Sequence, residues 1–252
     1  MNTLKKIKSG WGLLPVAIFL MIWELVAQFS LIPGHFFPSF STVMQEFYYL
    51  TANGVLGDNF LSSLIRVLIG LSTGSIAGIT IGIIMGWEGI IHKALHPIIS
   101  LLYPIPTLGW LPLLMLWIGV NEMLPITLIF ISSFFPVLYN TITGIKNVDK
   151  AYIQVARTLG APDLKILTTV VMPLALPNIF TGLRLTSGMA WRVIVAAEMV
   201  AIPTGIGALM MKAQSLIRID IIIVGLIVLA IMSLSFEKFF AYMETKLTLK
   251  WR

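Results

Sequence analysis

The chain has 252 residues, of which 58% are hydrophobic and 11% charged, and its formal net charge is +6. Soluble domains carry roughly 25% charged residues, so this composition excludes an ordinary soluble domain and reads as an integral membrane protein. The sequence has no cysteine for disulfide or thiol chemistry and no Gly-x-x-x-x-Gly-Lys-Ser/Thr loop to hold nucleotide.

Apolar runs of about 20 residues, the length that crosses a hydrocarbon core, fall at 12–32, 61–87, 95–118, 123–144, 179–200 and 221–239. Six spans with short connections leave no room for a soluble catalytic domain. The first run follows Lys5, Lys6 and Lys8 but is too long for a signal sequence and lacks a small-x-small cleavage site, so it is expected to be an anchor. In a six-span arrangement Lys5, Lys6, Lys8, Lys93, Lys146, Lys150, Arg157, Lys165, Lys238, Lys246, Lys250 and Arg252 share one side, and the other holds only Lys212 and Arg218. That asymmetry places both termini in the cytoplasm. The positive charge is thus a topology signal, and no nucleic-acid partner is expected.

Beyond the first span, Pro33 and Gly34 break the chain. Thr42 and Gln45 then read as a capping box for a short helix with Val43, Met44, Phe47 and Leu50 on its apolar face, lying at the outer surface. The second span carries Gly70, Gly74, Gly78, Gly82 and Gly86, one every four residues. Such a stripe lets another backbone approach closely, and helix packing is its expected use, with Leu71 on a different face. The third span contains Pro97, Pro104, Pro106 and Pro112 and cannot be one straight helix. Broken backbone at membrane depth is tolerated where it is buried in protein or lines a watery cavity, so Tyr103, Pro104 and Pro106 are candidate pathway residues.

The segment 149–173 is a polar interruption between spans. Tyr152, Ile153, Ala156 and Leu159 recur at helical spacing, with Lys150, Gln154, Arg157 and Thr158 polar. Gly160 suits the left-handed residue that closes a helix, and Pro162 with Asp163 opens a second short one. In the fifth span Arg192 stands near mid-membrane and Glu198 nearer the outside, beside Trp191. Intramembrane charge faces the interior and pairs or acts on solute. An ion pair with Glu24 of the first span is the structural alternative for Arg192, and Glu198 is too distant along the helix to pair with it. His35, His92 and His96 are scattered, and no metal site is expected.

The interval Gln154-Val155-Ala156, three residues, Gly160, nine residues, then Val170, Met172 and Pro173 resembles the cytoplasmic coupling loop of binding-protein-dependent ABC importers. That pattern has Glu-Ala-Ala at the first triplet and Ile-x-Leu-Pro at its end. The segments 103–112, 177–184, 190–192 and 196–199 resemble the permeases of the sulfonate, taurine and nitrate group. The resemblance implies an all-α membrane protein of six transmembrane helices with the type-1 ABC importer fold and a cytoplasmic coupling helix. It divides the chain into 1–58 (tail, first span and outer helix), 59–245 (the type-1 domain) and 246–252 (cytoplasmic tail). It further implies a second copy of the chain, two ABC ATPase subunits, an extracytoplasmic solute-binding protein and the inner membrane of a bacterial or archaeal cell. No cofactor is expected on this chain, which is not itself an enzyme; ATP and Mg belong to the partner ATPase. The residues implied at the ATPase contact are Tyr152, Gln154, Ala156, Arg157, Leu159, Gly160 and Ala161, and those of the pathway Arg192, Glu198, Trp191, Tyr103, Pro104 and Pro106. A secondary transporter or channel working without ATP is the alternative, and on that reading the loop at 149–173 has no purpose.

Overall fold

The computed structural model describes residues 2–29 and 33–248. The expected end of the first span at Ile32, the tail residues Lys250 and Arg252, and the side chains of Lys5, Lys6 and Lys8 lie outside what is described. The helices are α1 Asn2–Phe29, α2 Phe40–Ala52, α3 Val55–Trp87, α4 Gly89–Leu102, α5 Leu111–Trp117, α6 Met123–Lys146, α7 Lys150–Thr158, α8 Asp163–Ile166, α9 Met172–Ala201, α10 Ile206–Ser215 and α11 Ile219–Thr248. No strand occurs among the described residues.

Four helical segments are long and apolar enough to cross a membrane: Val55–Trp87, Met123–Lys146, Asp163–Ala201 and Ile219–Leu247. The expected third span is a broken pair, Gly89–Leu102 and Thr107–Trp117, bent by 85°. Pro104 and Pro106 stand at the bend, where neither can donate to the preceding turn. Pro97 stays inside α4 and Pro112 sits in the first turn of α5, where a missing N–H does no harm. The apolar stretch Leu14–Phe29 of α1 is shorter.

The expected second short helix after Gly160 proves to be the foot of the fifth span. α8 runs through a wide π turn, Leu167–Val171, directly into α9. Pro173 is the cause: lacking an N–H, it cannot hold the regular ladder, and Met172 N bonds Leu167 O five residues back. At α2 the cap is Ser39, whose hydroxyl accepts from Thr42 N; Thr42 itself is not the cap.

The glycine stripe is a seam between α3 and α6. A methyl group on Gly70 would lie 2.8 Å from Ile126 O, on Gly74 2.6 Å from Phe130 O, and on Gly78 2.7 Å from Phe134 O. On Gly82 it would meet Thr141 Cβ at 2.7 Å, and on Gly86 Ile145 Cβ at 2.9 Å. The stripe therefore sets the interhelical distance along most of α3. A second seam joins α6 to α9, where Gly144 faces Ala175 and Asn178, and Gly182 faces Val137 and Asn140. Leu71, expected on an unimportant face, is buried in the core with Val67, Leu128, Ile129, Trp191 and Ile194.

Two features were not foreseen. α10 packs its first turns into the bundle, with Ile206, Gly207, Ala208, Leu209 and Met210 buried. It ends on Ile217 at φ 55°, a left-handed position unusual for a β-branched residue. The next residue holds it there: Arg218 N donates to Ala213 O at 2.8 Å, and the guanidinium pairs with Glu46 at 2.9 Å and Asp220 at 2.8 Å.

Candidate functional site

The loop that joins α6 to α9 is a rigid corner. Asp149 caps α7 by accepting from Ala151 N at 2.9 Å. At the other end Gly160, at φ 78°, donates to Arg157 O, and Ala161 N donates to Ala156 O at 3.1 Å. This paired closure needs a left-handed residue at position 160, as the sequence suggested. Arg157 reaches Asp163 at 3.0 Å across the turn. Ile153, Ala156 and Ala161 pack down against Val148, Ile166, Val171 and Ala175. Tyr152, Val155, Leu159 and Leu164 point away, and Leu159 is 81% exposed.

The expected contact set thus divides. Tyr152, Gln154, Arg157, Leu159 and Gly160 are exposed, whereas Ala156 and Ala161 are half-buried against their own bundle. Val155, absent from the expectation, joins the outward face. The hydrophobic residues of α7 occupy both faces, and spacing alone did not say which one the bundle covers.

Arg192 is exposed on α9, and no hydrogen bond or ion pair joins it to another described residue. It lines a groove of about 440 Å³ with Thr181, Arg184, Leu185, Gly188 and Met189 of α9 and Ser233 and Glu237 of α11. Gly188 lets α11 come close, its missing methyl standing 3.5 Å from Ser233 Oγ. Arg184 is compensated, by Glu244 at 3.2 Å and Glu237 at 3.7 Å.

Glu24 does not partner Arg192. Its carboxylate accepts from Ser41 N at 3.0 Å, Ser41 Oγ at 2.8 Å and Gln28 Nε2 at 2.8 Å, tying α1 to the start of α2. Trp191 and Glu198, both expected on the pathway, are buried within the chain. Trp191 is in the core, edge-on to Phe236 at 5.5 Å. Glu198 is buried at the centre of a polar cluster. Tyr103, Pro104 and Pro106 are exposed at the bend, with Tyr103 against Tyr139.

The cluster around Glu198 is built on Arg66, a residue the sequence reading passed over. Arg66 Nη1 donates to Glu198 Oε1 at 2.7 Å and to Thr204 O at 2.9 Å. Nη2 donates to Glu122 Oε1 at 2.8 Å and Thr204 Oγ1 at 2.7 Å, and Nε also reaches Glu122. Glu198 additionally accepts from Ser63 Oγ at 2.8 Å and Gly207 N at 3.0 Å. Ser63 Oγ accepts in turn from Ile206 N at 2.9 Å, and Asn59 Oδ1 from Gly205 N at 2.9 Å. Gly205 and Gly207 must be glycine, because any side chain would strike the Glu198 carboxyl or Val195 O. The Arg66 guanidinium holds the Glu122 carboxyl below the usual carboxylate range. A single arginine five residues into an apolar run was the available signal, with Glu198 as its oppositely charged counterpart near the same side.

Known proteins resemble the chain in sequence and in fold. Residues 78–249 match the family described as binding-protein-dependent transport system inner membrane component. An ABC transporter permease protein of Methanocaldococcus jannaschii is 38% identical over 234 residues, covering 91% of this chain and 88% of that one. The taurine transport system permease protein TauC of Escherichia coli is 33% identical over 238 residues, 92% of this chain and 86% of its own. An aliphatic sulfonates transport permease protein SsuC of Bacillus subtilis is 34% identical over 247 residues, 97% of this chain and 89% of its own. Among solved structures, an amino acid ABC transporter superposes with a TM-score of 0.63 at 18% identity, over 79% of this chain and 97% of that one, a likeness of fold.

Proposed function

The chain belongs to the family of binding-protein-dependent transport system inner membrane components, and from that premise we infer that it is the transmembrane permease subunit of an ABC importer, moving a small anion. ATP hydrolysis lies on separate subunits. The single observation that carries the importer reading beyond family membership is the cytoplasmic corner. A nine-residue helix capped at both ends presents Tyr152, Val155 and Leu159, with Leu164 beside them, to solvent. Exposed apolar side chains on a rigid turn outside the membrane suit a groove on a partner protein. A carrier working without ATP would leave them unused. The partner is an ABC ATPase, two of which serve two copies of this chain, with a solute-binding protein on the extracytoplasmic side and both termini in the cytoplasm.

Arg192 supports the anion. An unpaired guanidinium facing lipid is costly, so the face of α9 that carries Thr181, Leu185, Met189 and Arg192 is turned to a watery path. Arg192 stands about 14 Å below the outer end of α9, at 1.5 Å per residue. An arginine there offers a fork of donors that matches planar or tetrahedral oxyanions. Taurine and aliphatic sulfonates, which name two of the related permeases, both carry such a group. Population shift between inward- and outward-open arrangements follows from nucleotide binding one of them better.

The sequence has no native cysteine, so single cysteines can be placed cleanly. A cross-linker on Val155→Cys or Leu159→Cys should capture the ATPase in the assembled complex, and one on Ile153→Cys should not. Equal capture from both faces, or none from either, would sink the docking assignment. For the solute, Arg192→Gln should abolish uptake while ATPase stimulation by the loaded binding protein persists; retained uptake would remove Arg192 from the path.

A further inference from the structure

We infer that Glu237 biases this permease toward singly charged anions, by placing a carboxylate in the groove whose free cation is Arg192 while Glu244 compensates Arg184 from outside. The inference rests on the reading of that groove as the solute surface, and adds a residue and a selection rule to it. Two arginines, Arg184 and Arg192, line the same 440 Å³ groove two turns apart on α9. Their states differ because of α11: Arg184 Nη2 faces Glu237 Oε1 at 3.7 Å and Nη1 faces Glu244 Oε2 at 3.2 Å, whereas nothing charged on α11 reaches Arg192. Glu237 itself lines the groove, so a solute at Arg192 meets its field directly.

Glu244 holds Arg184 from outside the groove; Glu237 alone stands in it. The groove thus presents a carboxylate, one paired arginine and one free arginine, with the hydroxyl of Ser233 as a further donor. Thr181 Oγ1 donates to Pro177 O at 2.9 Å and has no proton left for an oxyanion. A singly charged oxyanion balances Arg192. A doubly charged one carries a second negative charge toward Glu237, and this repulsion disfavours it. Coulomb energy scales with the product of the charges, which makes the claim sharper than a loss of binding. Removing the Glu237 charge must change the logarithm of the dianion's affinity by twice the change for the monoanion, and leave a neutral molecule of the same shape untouched.

The test places one reporter, Met189→Cys, in the groove of the permease–ATPase complex. The apparent Kd for methanesulfonate, sulfate and uncharged dimethyl sulfone is then read from the slowing of N-ethylmaleimide labelling on this chain. With Glu237→Gln, protection by methanesulfonate should strengthen about threefold and that by sulfate about tenfold, dimethyl sulfone staying unchanged. Glu237→Asp should restore the original preference. Equal factors for the two anions, or no change in either, overturn the role of Glu237 while leaving the groove reading in place. If neither anion protects the original chain and Arg192→Gln changes nothing, the groove is not the solute surface, and both inferences fall.

Discussion

Gly74→Ala is the sharpest perturbation of the α3–α6 seam, because the obstacle is backbone. The new methyl would stand 2.6 Å from Phe130 O, where ordinary contact begins at 3.4 Å, so the helices must separate by about 0.8 Å or the carbonyl must tilt out of its ladder. The same contact also brings Phe130 Cα and Ser133 Cβ to 3.1 Å, leaving no easy direction of escape. Overpacking of this kind costs about 1–3 kcal/mol, against a gain of at most about 1 kcal/mol in helix propensity from glycine to alanine. Gly57 lies on the same helix with nothing within 4 Å of its would-be methyl, so Gly57→Ala collects the propensity gain without the clash. The two substitutions should therefore move stability in opposite directions. Thermal unfolding of the purified complex in nanodiscs, followed by size-exclusion fluorescence, reads the sign of each. A Gly74→Ala protein as stable as Gly57→Ala would show that the seam is loose and that the stripe does not set the helix spacing.

Gly160→Val should strain the left-handed turn by about 1–2 kcal/mol with no steric clash, since open space surrounds that position; transport should fail with the protein still inserted, and normal uptake would refute the rigid-corner account. Glu198→Ala should destabilise by about 3–5 kcal/mol, because it leaves the buried Arg66 charge half-compensated; an unfolding midpoint close to the original would show that water enters the cluster. Glu122 titrates below the usual carboxylate range, so its link to Arg66 is fully present above the unfolded carboxylate pKa and is lost as pH falls through its lowered folded value. The difference in midpoint between the original and Glu122→Gln should accordingly shrink on acidification, and a difference that grows toward low pH contradicts the pairing. With its side chain 64% exposed, Glu122 is well screened, and the effect is small.

What the sequence revealed depended on whether the signal was local. The Gly160 turn, the glycine period and the proline break are each decided by a residue's own backbone, and all three stand where the residues put them. The partner of the glycine stripe was not readable, because a four-residue repeat names a face without naming the helix that meets it. Polar pairings were read poorly for the same reason. Glu24 is satisfied by Ser41, 17 residues away, and Arg66 by Glu198, 132 residues away. α10 gives no signal of its own in the sequence, since its apolar residues sit in a stretch too short to span, and its first turn is gripped by the Glu198 cluster.

Arg66 and Arg192, two of the arginines on the apolar helices, are separated by how each is compensated. Arg66 is 3% exposed, and the cluster takes up the in-plane donors of its guanidinium: two carboxylates, a carbonyl and a hydroxyl. A charge desolvated so completely is tolerable only when its partners are fixed, and fixing them welds α3, the start of α6, the end of α9 and the start of α10 into one body. Such a group has no donor left for a passing solute. Arg192 is the opposite case, an exposed guanidinium on the same helix as Glu198 with nothing assigned to it. The chain supplies Glu198 with three donors while leaving Arg192 open on the groove. An unpaired cation persists at that depth only where water or a mobile anion can reach it, which is the requirement a translocation path imposes and a packing interface does not.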